Sequence, residues 1–382
     1  MAEAVFVYDN IHNDEFIVPH WLLPDGGEAQ IAEKGQLTGS VAENVCEVAG
    51  RQCYSSFGKG RDSKAYHKNI KLQQHHSIYG HVNFVIELAI GRELVEGDSL
   101  STMQFLTSLY NRPGIWVTPN FHDGANPGGV VLRISTSIRS ALEWRRWDAM
   151  VIGATAKCRQ MQEWMCEIVR AATSEIAPAV VSFWDPSASG SCGDFHYHVV
   201  PPITEEEVWC TLGLRASRNI IKELNRHLFR AGISQRSTRY VDEHMTEWCL
   251  HPLIDRLDSE KRERIDKAID GARSVYADAL GWIEESLTEE CTDKHAVRKQ
   301  ARGAARGVLG GALQTELIFS ASVAQWKRIL NQRYSQHADA EIRVLAGKIH
   351  RVLRDRLPEH FLDAEKISCP DGIGEQLAAP LR

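Results

Sequence analysis

The 382-residue chain lacks any run of about 18 consecutive apolar residues, so nothing in it reads as a membrane-spanning helix. Its opening, MAEAVFVYDN, has no basic stretch followed by an apolar core, and the expectation is a soluble, cytoplasmic protein. The nine cysteines are odd in number, irregularly spaced and without a CxxC pair, which argues against a disulfide framework or zinc knuckle and for reduced thiols. Positive charge is not in excess: the formal net charge of −6 argues against a general nucleic-acid binder, whose affinity comes from broad positive charge. GxGxxG, P-loop and GxSxG patterns are also missing, so neither a Rossmann cofactor site nor a serine hydrolase is supported.

What is present is enough apolar residue, 43%, to fill a large core in one domain or two. Helical periodicity through Val41, Val45, Val48 and Ala49 is followed by a strand-like run from Val82 to Ile90. Residues 91–204 read as an inserted subdomain, with helices around 142–172 and loop-like stretches at 123–129 and 185–190. A second strand run, Val208 to Leu214, leads into a predicted helix from Ser217, its N-cap, to Phe229. From about 252 to 357 nearly everything reads as helical, including 259–286 and 338–357, and the tail after Pro358 is expected to pack loosely.

Four arginines, one histidine and two serines crowd into the segment from Arg226 to Tyr240. Guanidinium forks match phosphate oxygens, and so many close together repel one another unless an anion or carboxylates compensate. The periodicity puts Arg226 and His227 on a helix end, broken at Gly232, with an irregular loop presenting Ser234, Gln235, Ser237 and Arg239. The plain alternative is an arginine-rich helix end paired with Asp242 and Glu243.

Three other groups carry chemistry-bearing residues. His75 and His81 flank Ser77 and Gly80 before the first strand run, where polar or core contacts compete with metal ligation. His196 and His198 alternate on one strand face with Cys192 nearby, a weak zinc pattern set against a polar strand edge. In the C-terminal part stand Arg306, Thr315, Arg333, His337, Asp339 and Arg343; Arg333 and His337 are spaced to share a helix face, as are Asp339 and Arg343, or the whole is a solvated helix surface.

Taken in order, three blocks resemble the flavin-dependent thymidylate synthases. Gly50 to Ser56 is similar to the ARxCYxS stretch and His75 to Phe84 to HxSxxEHxxF; Arg226 to Tyr240 is similar to RHRxxSxxxxSxR. Arg306 to Arg343 aligns without a gap to the AR-x2-LP, T and LRxxxxAQxEIR elements. The resemblance covers about 38–90 and 205–357. It implies an α+β fold, a mixed sheet with long helices and here a large helical insertion, arranged as a discontinuous catalytic domain (1–90 and 205–360), the insert (91–204) and a tail (361–382). It also implies a homotetramer with sites at subunit interfaces, FAD as cofactor, NADPH and methylenetetrahydrofolate as co-substrates, and C5 methylation of UMP or dUMP without a cysteine nucleophile. The UMP alternative is suggested by a family member of polyoxin-type antibiotic biosynthesis.

Residue by residue, the resemblance implies substrate contacts at Glu223, Arg226, Gln235, Arg236, Ser237, Arg239, Arg306 and Arg333, with Arg306 and Arg333 as the catalytic pair. It places flavin contacts at Cys53, Ser77, Gly80, Arg226, His227, Phe229, Arg230, Ser322 and His337, and no metal. The departures are concentrated there. The third arginine of RHR is replaced by Leu228, with one extra residue before Ala231; Gly80 stands for Glu, Glu223 for Gln, Ser322 for Asn, Ala324 for Arg, and Leu309-Gly310 for LP. Two rivals follow: a nucleotide-binding paralogue without flavin chemistry, and a metal-dependent enzyme sited at Cys192, His196 and His198.

Overall fold

The computed structural model describes every residue except 1, 13, 92–96, 111–113, 121–129, 144–153, 185–194, 290 and 363–364. Cys192 and the stretches 123–129 and 185–190 therefore lie outside the described residues.

Two four-stranded sheets form the frame. The first has the order β1 (Glu3–Asp9), β6 (Trp209–Ser217), β8 (Gln314–Ser322), β7 (Ala231–Gln235). The second has the order β3 (Ile115–Asn120), β4 (Val130–Ser137), β2 (Asn83–Ile90), β5 (Phe195–Val200). All pairings between their described residues are antiparallel, which corrects the expected mixed sheet.

The helical character expected of residues 91–204, the insert of the sequence reading, is corrected too. That segment contains helices Ser99–Tyr110 and Ala156–Ile176, yet it also supplies β3, β4 and β5. The apolar strand β2 has both edges covered by β4 and β5, which satisfies backbone groups that would otherwise be open to pairing. The side chains follow the same plan: Phe105, Leu109, Met161 and Met165 of the insert share one hydrophobic cluster with Val45 and Val48 of the N-terminal helix Val41–Tyr54. Ser40 and Glu43 form a capping box on that helix, and the same Glu43 carboxylate accepts the N–H groups of Ala179 and Val180 at 2.7 and 3.1 Å.

A second cluster fills the C-terminal half, with Leu212, Leu317, Phe319, Trp326, Ile329 and Ile349. Its central strand β8 is buried at every position and interrupts the stretch from 252 to 357 expected to be nearly all helical. The other helices there are Ser259–Thr288, Lys294–Ala305, Val323–Arg333 and Ala340–Arg356. The tail is not loose. Asp371 pairs with the buried Arg343, strands Lys366–Ser368 and Glu375–Leu377 form a hairpin, and the Asn331 side chain and Leu381 backbone exchange hydrogen bonds.

A run of three glutamates joins the halves just before β6. Glu205 pairs with Lys327 and Glu206 with Arg328 at 2.6 Å. Glu207, wholly buried, grips Arg133 of β4 through both carboxylate oxygens at 3.0 and 3.1 Å. The Arg133 guanidinium also reaches Glu87 at 3.2 Å and the Pro201 carbonyl at 2.7 Å, so this buried charge is fully partnered.

Candidate active site

Ser217 caps the helix before the arginine segment, its hydroxyl accepting the Ile220 N–H, as the sequence suggests. The helix, however, ends at Leu224 rather than Phe229. Arg226 and His227 thus sit in the turn beyond it, and Arg230 takes a left-handed φ of 46°, which turns the chain into β7. Ser234 and Gln235 lie on that strand, not in a loop. Gly232 does not break a helix; it allows a close approach, because a Cβ there would stand 2.4 Å from the Gly80 carbonyl oxygen.

The first group of site residues gathers around Arg333. Its Nη1 donates to Glu223 at 2.8 Å and its Nε donates to His227 Nε2 at 3.1 Å. Because a guanidinium only donates, His227 Nε2 is the accepting nitrogen and the neutral ring carries its proton on Nδ1. Burial, then the charges of Arg333 and Arg226, lower the His227 pKa and keep it in that form. Arg226 itself is exposed beside this group. His337 does not share a helix face with Arg333: the helix stops at Arg333, and His337 is exposed in the following turn. Likewise Asp339 caps the next helix and pairs with His251 at 3.3 Å, while Arg343 turns to Asp371.

The second group lies at the other end of β7. The Ser237 N–H donates to the Cys53 carbonyl at 3.0 Å, fastening the arginine segment to the end of the helix Val41–Tyr54. Arg306 donates to Thr238 Oγ1 at 3.1 Å, and Arg239 is exposed alongside Gly303. Arg236 points inward, donating to Glu243 at 2.8 Å and Thr246 at 2.6 Å, with Glu316 at 3.6 Å. Its neighbours make it a charge-compensated anchor for the loop. Gln235 reaches Thr315 at 3.5 Å. Sequence reasoning missed Arg218, whose pKa burial lowers first and the charges of Arg306 and Arg236 lower further; its buried Nη1 has no hydrogen-bond partner among the described residues. The available signal was its position directly after the capping Ser217.

Between the two groups His81 is wholly buried, with Nδ1 2.8 Å from Ser320 Oγ and Nε2 2.8 Å from Ser234 Oγ. Burial depresses its pKa to about 3, so it is a neutral bracket joining all three motif blocks. His75 Nδ1 meets Tyr54 Oη at 3.1 Å. Among the described residues no three His, Cys, Asp or Glu side chains gather as metal ligands would; His196 and His198 are exposed on the same face of β5.

Cys53, Ser77 and His75 line a cavity of ≈470 Å³, while Ser77, Gly80, Phe229 and Arg230 line one of ≈600 Å³. Burial pushes the Cys53 thiol up to about 11. Arg230, itself buried, lines the larger cavity, its guanidinium 5.6 Å from the Trp116 ring and 5.7 Å from that of Trp209. It donates to Ser135 at 2.9 Å and lies 3.6 Å from Glu206, and burial lowers its pKa to about 10. Ser322 is also buried, capping the helix Val323–Arg333 and donating to Glu206 at 3.4 Å.

Residues 203–359 match the family model described as thymidylate synthase complementing protein. A flavin-dependent thymidylate synthase of Mycolicibacterium vanbaalenii is 37% identical over 165 residues, 43% of this chain and 64% of the relative. Those of Corynebacterium diphtheriae and Mycobacterium avium are 33% and 36% identical over 158 and 167 residues, covering 41% and 43% of this chain and 61% and 64% of the relatives. The chain therefore spans somewhat less than two thirds of the length of these relatives. Among the described residues no helix is long and apolar enough to cross a membrane. Residues 203–359, which match that family model, carry β6, β7, β8 and both arginine groups, and over a stretch of 165 residues the chain is similar to a flavin-dependent thymidylate synthase.

Proposed function

We propose that the protein catalyses C5 methylation of a uridine nucleotide, UMP or dUMP, with FAD as cofactor and NADPH and methylenetetrahydrofolate as co-substrates. The observation that carries the reading is convergence: three separated motif blocks are joined by two contacts, His81 with Ser234 and Ser320 between the two arginine groups, and the Ser237 N–H with the Cys53 carbonyl in the second of them. Arg333, held by Glu223 and His227, and Arg306, held by Thr238, would grip the base and sugar-phosphate, with Ser237 and Arg239 beside the phosphate. A fixed guanidinium at the uracil ring stabilises the negative charge that makes C5 nucleophilic, and it does so without reorganising. The protonated Cys53 thiol suits a reaction that uses no cysteine nucleophile.

The cavities fit a flavin. Each has a volume within the range of about 300–1,000 Å³ typical of cofactor sites, their linings are both polar and apolar, and Arg230 Nε and Nη1 make no hydrogen bond among the described residues. Cys53, Ser77, His227, Phe229 and Arg230 would hold it, and when bound it supplies the hydride that completes the methyl group. A homotetramer is part of the proposal: the helix Ser259–Thr288 has Tyr276 as its one buried residue, exposes Trp282 and Val275, and flanks an apolar cavity of ≈710 Å³.

The test is turnover of UMP and dUMP, compared side by side with FAD, NADPH and methylenetetrahydrofolate, after the visible spectrum of the purified protein is recorded. A flavin spectrum and methylation of either nucleotide are expected. A colourless protein that cannot be reconstituted, and methylates neither, overturns the reading.

A further inference from the structure

The two cavities share Ser77, Arg139 and Glu143 in their linings, so they adjoin at these side chains. Arg139 and Glu143 come from the inserted segment, at the short helix Ile138–Leu142 that follows β4. Nothing in the motif blocks assigns them a role. The Arg139 side chain is 48% exposed and donates to Glu143 at 3.3 Å, an exposed pair that holds a guanidinium weakly. It is therefore free to turn to a better acceptor.

The surroundings favour an anion. A Cβ placed on Gly80 would lie 4.0 Å from Arg139 Cδ and 3.7 Å from Gly232 Cα, so a carboxylate side chain at position 80 would stand beside Arg139. With glycine there, no acidic group at that position neutralises the arginine. Arg230 adds to the larger cavity a second positive charge, this one buried, and its Nε and Nη1 are without hydrogen-bond partners among the described residues. Glu143 and Glu206 each lie within 3.6 Å of one of these arginines but do not occupy their full donor sets.

We propose that Arg139 is an oxyanion-binding residue which the insert contributes to the site, placed where the two cavities join. Its ligand is a group with two oxygens spaced for a guanidinium fork: the diphosphate of a flavin dinucleotide or a carboxylate of a pteroylglutamate. The inference rests on the function proposed above for the identity of that ligand, while the anion site itself does not.

The experiment compares the full-length wild type with Arg139→Gln and Arg139→Lys, after melting temperatures confirm that each folds. FAD binding is followed by quenching of flavin fluorescence, folate binding by titration calorimetry, and inorganic pyrophosphate binding by thermal shift. The Gln variant is expected to bind one ligand roughly ten- to a hundred-fold more weakly, with Lys in between because it keeps the charge but loses the fork. Weakened FAD binding with unchanged folate binding identifies the diphosphate; the reverse identifies the carboxylate. Unchanged affinity for both overturns the proposal. If the wild type binds neither FAD nor folate, the functional reading fails, and pyrophosphate decides the remainder: a thermal shift lost in Arg139→Gln upholds the anion site, and its absence in the wild type or persistence in the variant overturns it.

Discussion

The two hydrophobic clusters differ in where their polar residues are spent. The cluster that takes in the N-terminal helices and the insert is bound to its neighbours by buried, mutually satisfied charges such as Arg133 with Glu207 and Glu87, and Glu43 with two backbone amides. The C-terminal cluster, within the segment related to known enzymes, turns a set of arginines outward, Arg226, Arg239 and Arg306, and leaves Arg218 incompletely partnered. The first half's pairs fix geometry, while the second presents most of the exposed guanidinium donors, to which Arg139 of the first half adds one. The candidate site lies on the seam, since Cys53, Ser77 and Arg139 come from the first half and Arg230, Ser237 and Arg333 from the second.

The sharpest way to break this division is Arg133→Met. It leaves Glu207 buried without its guanidinium, and removing one partner of such a pair costs about 3–5 kcal/mol. Urea unfolding should report that loss, and a change under about 1 kcal/mol would mean the insert is not fastened through this network. In the other half, Arg333→Ala should leave the urea midpoint near that of the wild type and lower nucleotide affinity by roughly ten- to a hundred-fold, about 1.5–3 kcal/mol for one charge-assisted bidentate contact. Wild-type nucleotide affinity in that variant would remove Arg333 from the site.

A gentler probe is pH. His81 on the seam and His67 in the N-terminal half have folded-state pKa values depressed by burial to about 3 and about 4. Below the ordinary histidine value of about 6.5 the unfolded chain takes up protons that the folded chain refuses, so stability falls as pH falls. Each histidine contributes a loss of up to about 1.4 kcal/mol per pH unit, beginning near 6.5 and ending once pH passes below the folded values. Urea titrations between pH 7 and 5 should show that slope; a flat profile would mean the imidazoles are hydrated and protonatable in place.

The sequence made local features legible and long-range ones obscure. The helix from Val41, strand β2 and the Ser217 cap follow from periodicity and a side-chain cap within a few residues. Strand β8 did not, because it is buried on both faces and shows no alternation. Its polar Glu316 and Ser320 find their partners far away in sequence, in Arg215, Arg236, His81 and Thr211. Strand β7 was hidden for a related reason: Gly232 reads locally as a breaker, and its function is contact with Gly80 far back in the chain. The site's residue types were visible as motifs, yet Arg139 was invisible until the fold brought the insert to Ser77.

The smallest expected effect separates support from binding within the C-terminal half. Ser322 stands at a position that the resemblance gives to flavin, but its hydroxyl accepts the Gln325 N–H at 3.2 Å at the start of the helix Val323–Arg333. Ser322→Ala removes that cap at a cost of roughly 1 kcal/mol. Because the side chain is wholly buried and turned to Gln325 and Glu206, flavin affinity should follow only indirectly, through the helix that carries Arg333. A small drop in urea midpoint with FAD affinity retained is the expected result. A large loss of FAD binding at unchanged stability would make Ser322 a direct contact and move the flavin deeper beneath β7 than the two cavities suggest.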